Sequence, residues 1–257
     1  MNYEESIIAY IDILGFKKYI EETSLKENQN ELYRILFKFK DLANAHPLKR
    51  ADRHSTHFSD LIIITCPITK TSIIDLINDL TELTHSFIDS KLLLRGIIIK
   101  GKILHQNGII FGPGLIDAYL LEKDKVKFPR IIVDKELVTQ FKLETETDSK
   151  YYDYTEKNSL LIVDPLDYEY FINYYPHYIN LGKKSTTKKK GLFDDSFLDL
   201  IFAGLKDEDS KVKAKYQWMA DWHNSYLTEF IKKKENDLEI TKTSRQKEIE
   251  VLRSKFV

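Results

Sequence analysis

Hydrophobic positions along this chain alternate between short continuous runs and stretches at helical spacing. The first run, residues 7–11, has the length of a buried strand, and Asp12 and a helical pattern follow it. A second run, residues 61–64, begins directly after Asp60. If the two strands are neighbours, the two carboxylates meet at one edge of the sheet and need a shared proton or a divalent cation. Taken singly, each acid is equally compatible with a role as an N-cap or turn residue.

The apolar pattern predicts further elements up to residue 133. In chain order they are a helix in residues 21–45, a hairpin within residues 46–66, a helix over residues 72–87, a hairpin of residues 92–104 and 109–111 with its turn at 105–108, a helix over residues 115–122 and the strand Ile131–Val133. This order predicts a ferredoxin-like sheet with helices on one face. The predicted fold class is therefore α+β.

Beyond residue 133 the pattern is less regular. It predicts a short helix Lys135–Phe141, added strands in residues 151–154 and 160–163, and mostly helix from residue 193, ending in a charged helix over residues 235–256. A tyrosine-rich stretch, residues 168–178, and a lysine run, residues 183–190, fit a covered sheet and a solvated loop better than a nucleic-acid platform. We expect a core in residues 1–165 and a helical extension in residues 166–257.

Composition narrows the function classes. The chain has 257 residues, 42% of them hydrophobic and 31% charged, and its net charge of −1 offers no overall attraction to nucleic acid or an anionic membrane. Its longest apolar runs are interrupted by Asp12, Asp60 or Arg95, so none reaches the length of a membrane helix. The single cysteine, Cys66, excludes an internal disulfide. We expect a cytoplasmic protein with no signal peptide and no membrane partner, and the composition does not favour nucleic acid as a ligand.

Five segments carry a resemblance to a known family. They are, in order, AYIDILGFKKYI, HFSDLIIIT, LLRGIIIKG, FGPGLIDAYLLE and PRIIVD. Their order and spacing resemble the catalytic domain of class III nucleotidyl cyclases, and most of all the bacterial pyrimidine cyclases of Pycsar anti-phage defence. The resemblance covers residues 6–133 and implies a ferredoxin-like cyclase core. It also implies an enzyme that converts UTP, or less readily CTP, into the 3′,5′-cyclic monophosphate and pyrophosphate.

The resemblance assigns roles to the first two segments. It makes Asp12 and Asp60 the carboxylate ligands of two divalent ions, Mn²⁺ or Mg²⁺, and Ile13 a ligand through its backbone carbonyl. In such a reaction the ribose 3′-hydroxyl attacks the α-phosphate, one ion lowers the pKa of the hydroxyl, and the other neutralises the leaving pyrophosphate. The residues implied to bind the triphosphate are Leu14, Gly15, Phe16 and Lys17.

Two departures from the wider family concern the base. Thr56 and Ile109 stand where the family has the Lys and Asp that read a purine, so purine cyclase activity is not expected. A small hydroxyl facing an apolar group suits a pyrimidine edge. Because a hydroxyl both donates and accepts hydrogen bonds, Thr56 alone does not separate uracil from cytosine. Arg53 or His54 are candidates to reach the same edge, or are solvated hairpin residues.

Two further departures concern the transition state. Ile116 and Leu120 stand where the family has Asn and Arg, and neither side chain can donate a hydrogen bond. Arg130, Arg95 and Lys17 are candidates to supply charge to the phosphates, with Arg130 assigned a catalytic role. The alternative for each is a structural or surface ion pair.

Two classes of function follow from the resemblance. One is a homodimeric enzyme with composite active sites, in which Asp12 and Asp60 of one subunit face residues 96–121 of the other. The other is a cyclase-derived binding or interaction module without turnover, which Ile116 and Leu120 favour. Retention of both metal carboxylates favours the enzyme.

Overall fold

The computed structural model describes residues 2–25, 33–34, 37, 53–143, 159–175 and 195–236. Contacts between residues divide the chain into two compact units, Met1–Tyr174 and Tyr175–Val257, here the first and second unit. Several predicted features lie wholly or mostly outside the described residues: the helix in residues 21–45, the strand in residues 151–154, the lysine run 183–190 and the helix over residues 235–256.

The first unit contains eight described strands and four described helices. The strands are β1 (Glu4–Leu14), β2 (His54–Phe58), β3 (Leu61–Cys66), β4 (Leu93–Gln106), β5 (Ile109–Phe111), β6 (Ile131–Val133), β7 (Leu161–Val163) and β8 (Tyr170–Ile172). The helices are α1 (Phe16–Leu25), α2 (Lys70–Asp89), α3 (Pro113–Lys125) and α4 (Lys135–Phe141). Two predicted elements, Ile131–Val133 and Lys135–Phe141, have the expected bounds.

The strands form one sheet in the order β2-β3-β1-β4-β6-β8-β7, and β5 pairs with β4. β1 is antiparallel to both of its neighbours, β3 and β4, and β2 is antiparallel to β3. A central first strand between the third and fourth, with the second at the edge, is the order of the ferredoxin-like β-α-β-β-α-β arrangement. The predicted α+β, ferredoxin-like fold is therefore confirmed.

One face of the sheet is covered by α2. Alternate residues of β1, from Ile7 to Ile13, lie on this face and pack with the apolar stripe of α2, which includes Leu76 and Leu80. Each such fully buried aliphatic side chain contributes roughly 1.5–3 kcal/mol. Thr69 caps α2 at its start, where its side-chain oxygen accepts a hydrogen bond from the Ser72 N–H at 3.1 Å.

The opposite face of the sheet is partly covered by α3, so the expectation of helices on one face only is wrong. Ala118 of α3 packs with Ile8, Ile97 and Ile99 of the sheet. The apolar run of β1 is continuous, so successive apolar side chains point to opposite faces and a helix can pack on either side. The sequence pattern of α3 does not reveal its face, because the helix also carries exposed apolar residues.

Two glycines set the close approach of α3 to the sheet. A Cβ on Gly101 of β4 would lie 2.7 Å from the Cα of Gly114 in the first turn of α3. A Cβ on Gly114 would lie 2.7 Å from Cδ1 of Ile8 and 2.9 Å from the backbone of Gly101. Both distances are shorter than carbon contacts allow, so this helix-sheet crossing requires glycine on both sides.

The second unit, where described, consists of two packed helices, α5 (Asp195–Leu205) and α6 (Ser210–Asn236). The Tyr175 hydroxyl donates a hydrogen bond to the carbonyl of Met219 at 3.0 Å, and its ring contacts the edge of Phe197. Among the residues with a described structure, no helix is long and apolar enough to cross a lipid bilayer.

Candidate active site

Asp12 and Asp60 lie at the same end of two neighbouring strands. Asp12 stands near the end of β1, directly opposite Leu61 of β3, and Asp60 is in the turn that precedes β3. The backbone carbonyl of Asp60 accepts a hydrogen bond from the N–H of Ile13 at 2.9 Å. Pairing of β1 with β3 thus brings the two acids to the same end of the strands, where the sequence predicted that they would meet.

Arg95 holds the Asp12 carboxylate. Its Nε–H donates to Asp12 Oδ2 at 2.8 Å, and Glu122 Oε1 lies 2.9 Å from the same Nε. Glu122 projects from α3 and is only 4% exposed. Burial raises the pKa of Glu122, while Arg95 acts in the opposite direction. Arg95 therefore forms ion pairs with two carboxylates. This placement corresponds to the structural ion pair that was the alternative to phosphate binding for this residue.

α1 starts at Phe16, four residues beyond Asp12. Gly15 has a φ of +76°, a conformation that side-chain-bearing residues rarely adopt, and its carbonyl accepts the N–H of Tyr19 at 3.0 Å. The N–H groups in the first turn of a helix have no partner within the helix and favour an anion. Lys17 in this turn is exposed, with its Nζ 3.9 Å from Glu21 Oε1. Leu14 and Phe16 flank Gly15, so the residues predicted to bind a triphosphate are contiguous with the acids.

The donor set at this edge fits a hard divalent cation. Mg²⁺ usually binds one or two protein carboxylates and completes its shell with water and substrate phosphates. Asp60 is only half-buried, and no cation in the described part of the chain forms an ion pair with its carboxylate. Among the described residues, no group of three or more His, Cys, Asp or Glu side chains is positioned to bind a metal ion by itself. Two carboxylates with the carbonyl of Ile13 would thus hold ions whose remaining ligands come from the substrate.

The residues predicted to read the base are not brought together within one chain. Thr56 shares a face of the sheet with Ile63 and Tyr10, the face on which Asp12 also lies. Arg53 is buried on the other side, where it forms an ion pair with Asp79 of α2. Ile109 is 60% exposed on β5. Arg53 lies one residue before β2 and pairs with α2, whereas Thr56 lies within β2 and points to the opposite face.

His105 contacts Thr56 and was expected in a turn. The structure extends β4 to Gln106, which places His105 in the strand and 8% exposed. Its Nε2 lies 2.8 Å from the Thr56 hydroxyl and its Nδ1 lies 2.9 Å from the Thr65 hydroxyl. Burial, followed by the nearby imidazole of His54, lowers the pKa of His105 to about 4. The ring is therefore neutral at physiological pH.

Arg130 is buried in an ion-pair cluster. It is 1% exposed and pairs with Asp164 and Asp167, and its guanidinium lies 5.6 and 5.7 Å from the ring centroids of Phe128 and Phe171. Contact with a phosphate would require breaking a fully buried ion pair, which costs several kcal/mol. This placement favours a structural role and disfavours the catalytic role predicted for Arg130.

Ile116 and Leu120 are exposed on α3 by 61% and 54%. Tyr119 lies between them, and its ring centroid is 6.3 Å from that of Tyr10 on β1. Burial, followed by the carboxylates of Glu122 and Asp12, raises the pKa of Tyr10 to about 12. The exposed surface of α3 therefore carries apolar and aromatic side chains at the positions where the resemblance would have placed hydrogen-bond donors.

Sequence reasoning missed Glu122 and His105. Glu122 occupies the buried stripe of α3 with Gly114 and Ala118, at intervals of four residues, but the exposed apolar residues of this helix conceal that stripe in the sequence. His105 continues the alternation of Ile99, Gly101 and Ile103 along β4. Its neighbours Thr56 and Thr65 become apparent only once the strand order is known.

No family model and no curated protein matches the chain. Solved structures do match. The guanylyl cyclase domain of the RhoGC fusion protein from the aquatic fungus Blastocladiella emersonii is similar at 14% identity over 67% of this chain and 96% of that one, with a TM-score of 0.47. The adenylyl cyclase CyaB from P. aeruginosa matches at 12% identity over 67% and 96%, with a TM-score of 0.42. The adenylate/guanylate cyclase/hydrolase from Silicibacter pomeroyi matches at 16% identity over 67% and 96%, with a TM-score of 0.39. Because these identities and TM-scores are low, the assignment of the fold is based on the strand order of this chain.

Proposed function

We propose that the chain is a pyrimidine nucleotide cyclase that converts UTP, and less readily CTP, into the 3′,5′-cyclic monophosphate and pyrophosphate. The observation that carries this proposal is the position of Asp12 and Asp60 at the same end of two paired strands, with α1 starting four residues after Asp12. In such an arrangement the two carboxylates can bind divalent cations, and the N–H groups at the helix N-terminus can donate hydrogen bonds to phosphate oxygens. The five sequence segments that resemble class III nucleotidyl cyclases support the same reaction.

The reaction needs no protein nucleophile. The ribose O3′ forms a bond to the α-phosphorus, the bond from that phosphorus to the bridging oxygen breaks, and pyrophosphate leaves with the electron pair. The proton of the 3′-hydroxyl passes to solvent or to a phosphate oxygen. Divalent ions, when bound, supply charge neutralisation and lower the pKa of the attacking hydroxyl.

The chain's own residues bind and orient the substrate. Asp12, Asp60 and the carbonyl of Ile13 would hold the ions, and the backbone of residues 14–16 would bind the triphosphate, with Lys17 at its rim. Arg95 aligns the Asp12 carboxylate through the hydrogen bond from Nε, which limits the rotamers that Asp12 samples. Arg130 is left out of this set because Asp164 and Asp167 already engage it.

The proposal includes a homodimer with composite sites. Exposed apolar side chains on α3 and β5 support a partner surface: Ile109, Phe111, Ile116, Tyr119 and Leu120. Thr56 and Asp12 share one face of the sheet, so two copies that meet through this face would place the base-reading residue of one opposite the metal carboxylates of the other. A role in anti-phage signalling rests on the Pycsar resemblance alone.

The test is to incubate the full chain separately with ATP, GTP, CTP and UTP in the presence of Mn²⁺ and to identify products by mass spectrometry. We expect cyclic UMP as the main product, dependence on the metal, and loss of activity in Asp60→Asn. Asp124→Asn, which removes an exposed carboxylate on α3, is the matched control and should retain activity. Comparable or faster cyclisation of ATP or GTP would contradict the base assignment, and full activity of Asp60→Asn would contradict the metal site.

A second candidate is a cyclase-fold module that binds a nucleotide without turnover. The observation that favours it is the exposure of Ile116 and Leu120, which cannot stabilise charge on a phosphate. Nucleotide binding by calorimetry, with no cyclic product from any of the four triphosphates under Mn²⁺ or Mg²⁺, would establish this alternative.

A further inference from the structure

A chain of three side chains connects the core of the first unit to its surface. Thr65 on β3 is 3% exposed, His105 on β4 is 8% exposed, and Thr56 on β2 is half-buried. The imidazole bridges the two hydroxyls, with 2.9 Å between Nδ1 and Thr65 and 2.8 Å between Nε2 and Thr56. The position of the proton between Thr65 and His105 therefore determines whether the Thr56 hydroxyl offers a ligand its O–H or a lone pair.

The buried end determines the direction of the chain. Within the described part of the protein, the hydroxyl of Thr65 has one hydrogen-bond partner, Nδ1 of His105. If Nδ1 carried the proton, Thr65 would accept it and its own buried O–H would have no acceptor. A buried donor left without an acceptor bears its full desolvation cost, whereas an unused lone pair on an oxygen is tolerated more often. Thr65 therefore donates to Nδ1.

The tautomer of His105 follows from this step. A neutral imidazole has one N–H donor and one acceptor nitrogen, so a ring that accepts at Nδ1 carries its proton on Nε2. The low pKa of His105 excludes the doubly protonated ring at neutral pH. Nε2–H then donates to the oxygen of Thr56, which turns the Thr56 O–H away from the ring and toward the surface.

We propose that His105 fixes Thr56 as a hydrogen-bond donor and thereby makes the site select uracil over cytosine. Uracil presents the acceptor O4 where cytosine presents an N4 amino donor. With one lone pair of the Thr56 oxygen occupied by Nε2–H, the Thr56 O–H is available for O4, and fewer orientations remain in which the oxygen can accept from the N4 amino group. This inference rests on the proposed function, in which Thr56 faces the base. It makes His105 a positioning residue, because His105 acts on the substrate only through the Thr56 hydroxyl.

The tautomer is measurable without any activity. In the full chain labelled with ¹⁵N-histidine, long-range proton–nitrogen correlation spectra distinguish a protonated Nε2 from a protonated Nδ1, and a His105→Gln sample identifies the signal. We expect a neutral ring with the proton on Nε2 at pH 7. Thr65→Val, which removes the donor to Nδ1, should change this pattern. A proton on Nδ1 or a charged ring in the unaltered protein would overturn the inference and leave the proposed cyclase activity untouched.

The selectivity is measured by competition between UTP and CTP in one reaction. We expect a preference for UTP of roughly tenfold or more, as one oriented hydrogen bond supplies. Thr56→Val should reduce the preference to about one, through a lower kcat/KM for UTP with that for CTP unchanged or raised. A loss that is equal for both nucleotides would mean a merely structural role and would overturn the inference.

Thr84→Val is the matched control. Thr84 is also a buried threonine, 5% exposed, but its hydroxyl donates to the carbonyl of Leu80 within α2. This variant should keep both the tautomer and the ratio of UTP to CTP. Turnover with a preference for CTP would overturn the inference and the order of UTP over CTP, but it would leave the pyrimidine cyclase activity standing. Failure of all four triphosphates to bind or react would overturn the proposed function together with the inference.

Discussion

Lowering the pH should destabilise the first unit through His105. Burial, with His54 nearby, lowers the pKa of His105 from 6.5 to about 4. Between these values the unfolded chain binds a proton at residue 105 and the native protein does not. The unfolded state therefore binds more protons in this window, so the free energy of unfolding falls as the pH is lowered from 6.5 toward about 4. Above pH 6.5 the ring is neutral in both states and the effect vanishes.

The size of the effect follows from the two pKa values. Between pH 7 and about pH 5, proton uptake at this residue should remove about 2 kcal/mol from the free energy of unfolding. His105→Gln has no titrating group at the position and should not show this loss. At pH 7 the variant should be less stable by about 1–2 kcal/mol, because the bonds to Thr56 and Thr65 are replaced imperfectly. The stability gap between the two proteins should therefore close or reverse near pH 5.

The assay must report on the first unit alone. Native-state hydrogen exchange of peptides from β1 and β4, analysed by mass spectrometry, gives the opening free energy of the sheet in both proteins. The chain's two tryptophans, Trp218 and Trp222, both lie in the second unit, so fluorescence during urea unfolding serves as an internal control. Repeating the comparison in a His54→Gln background removes the second cause of the shift. A gap that stays constant from pH 7 to pH 5 would refute a neutral, buried His105.

Three further perturbations test buried ion pairs and packing in the first unit. Arg95→Met should lower the free energy of unfolding by about 1–3 kcal/mol because it leaves Glu122 buried without its cation, and adding Glu122→Gln should restore part of the loss in urea denaturation. Asp164→Asn should cost about 3–5 kcal/mol by leaving the fully buried Arg130 short of a partner, and an unchanged midpoint would argue against that ion pair. Gly101→Ala should cost about 1–3 kcal/mol, since its Cβ meets the backbone of α3, and differential hydrogen exchange should show the loosening in α3.

The local elements of this protein are determined largely by sequence. Apolar runs bounded by turn residues identify β1, β3 and β6, and the stripe of α2 identifies that helix, because burial of one face imposes a period of two or 3.6 on the chain. The juxtaposition of Asp12 and Asp60 was also predictable, since each acid adjoins an apolar run and those runs pair in the sheet. The order of strands and helices along the chain was sufficient to predict the ferredoxin-like arrangement.

Only the tertiary structure decides which polar side chains meet. Arg130 reads as a candidate for phosphate binding, yet its partners Asp164 and Asp167 come from a later segment that folds against it. Arg53 and Thr56 are close in sequence, but Arg53 pairs with Asp79 on one side of the sheet and Thr56 contacts His105 on the other.

The same reason explains the two residues that sequence reasoning missed. Glu122 reaches Arg95 because two glycines let α3 approach the sheet, and His105 reaches Thr56 and Thr65 because β4 continues two residues beyond the end predicted for it. Periodicity reports whether a side chain is buried. The identity of its neighbours depends on strand order, register and helix crossing, which are set by packing between segments far apart in the chain.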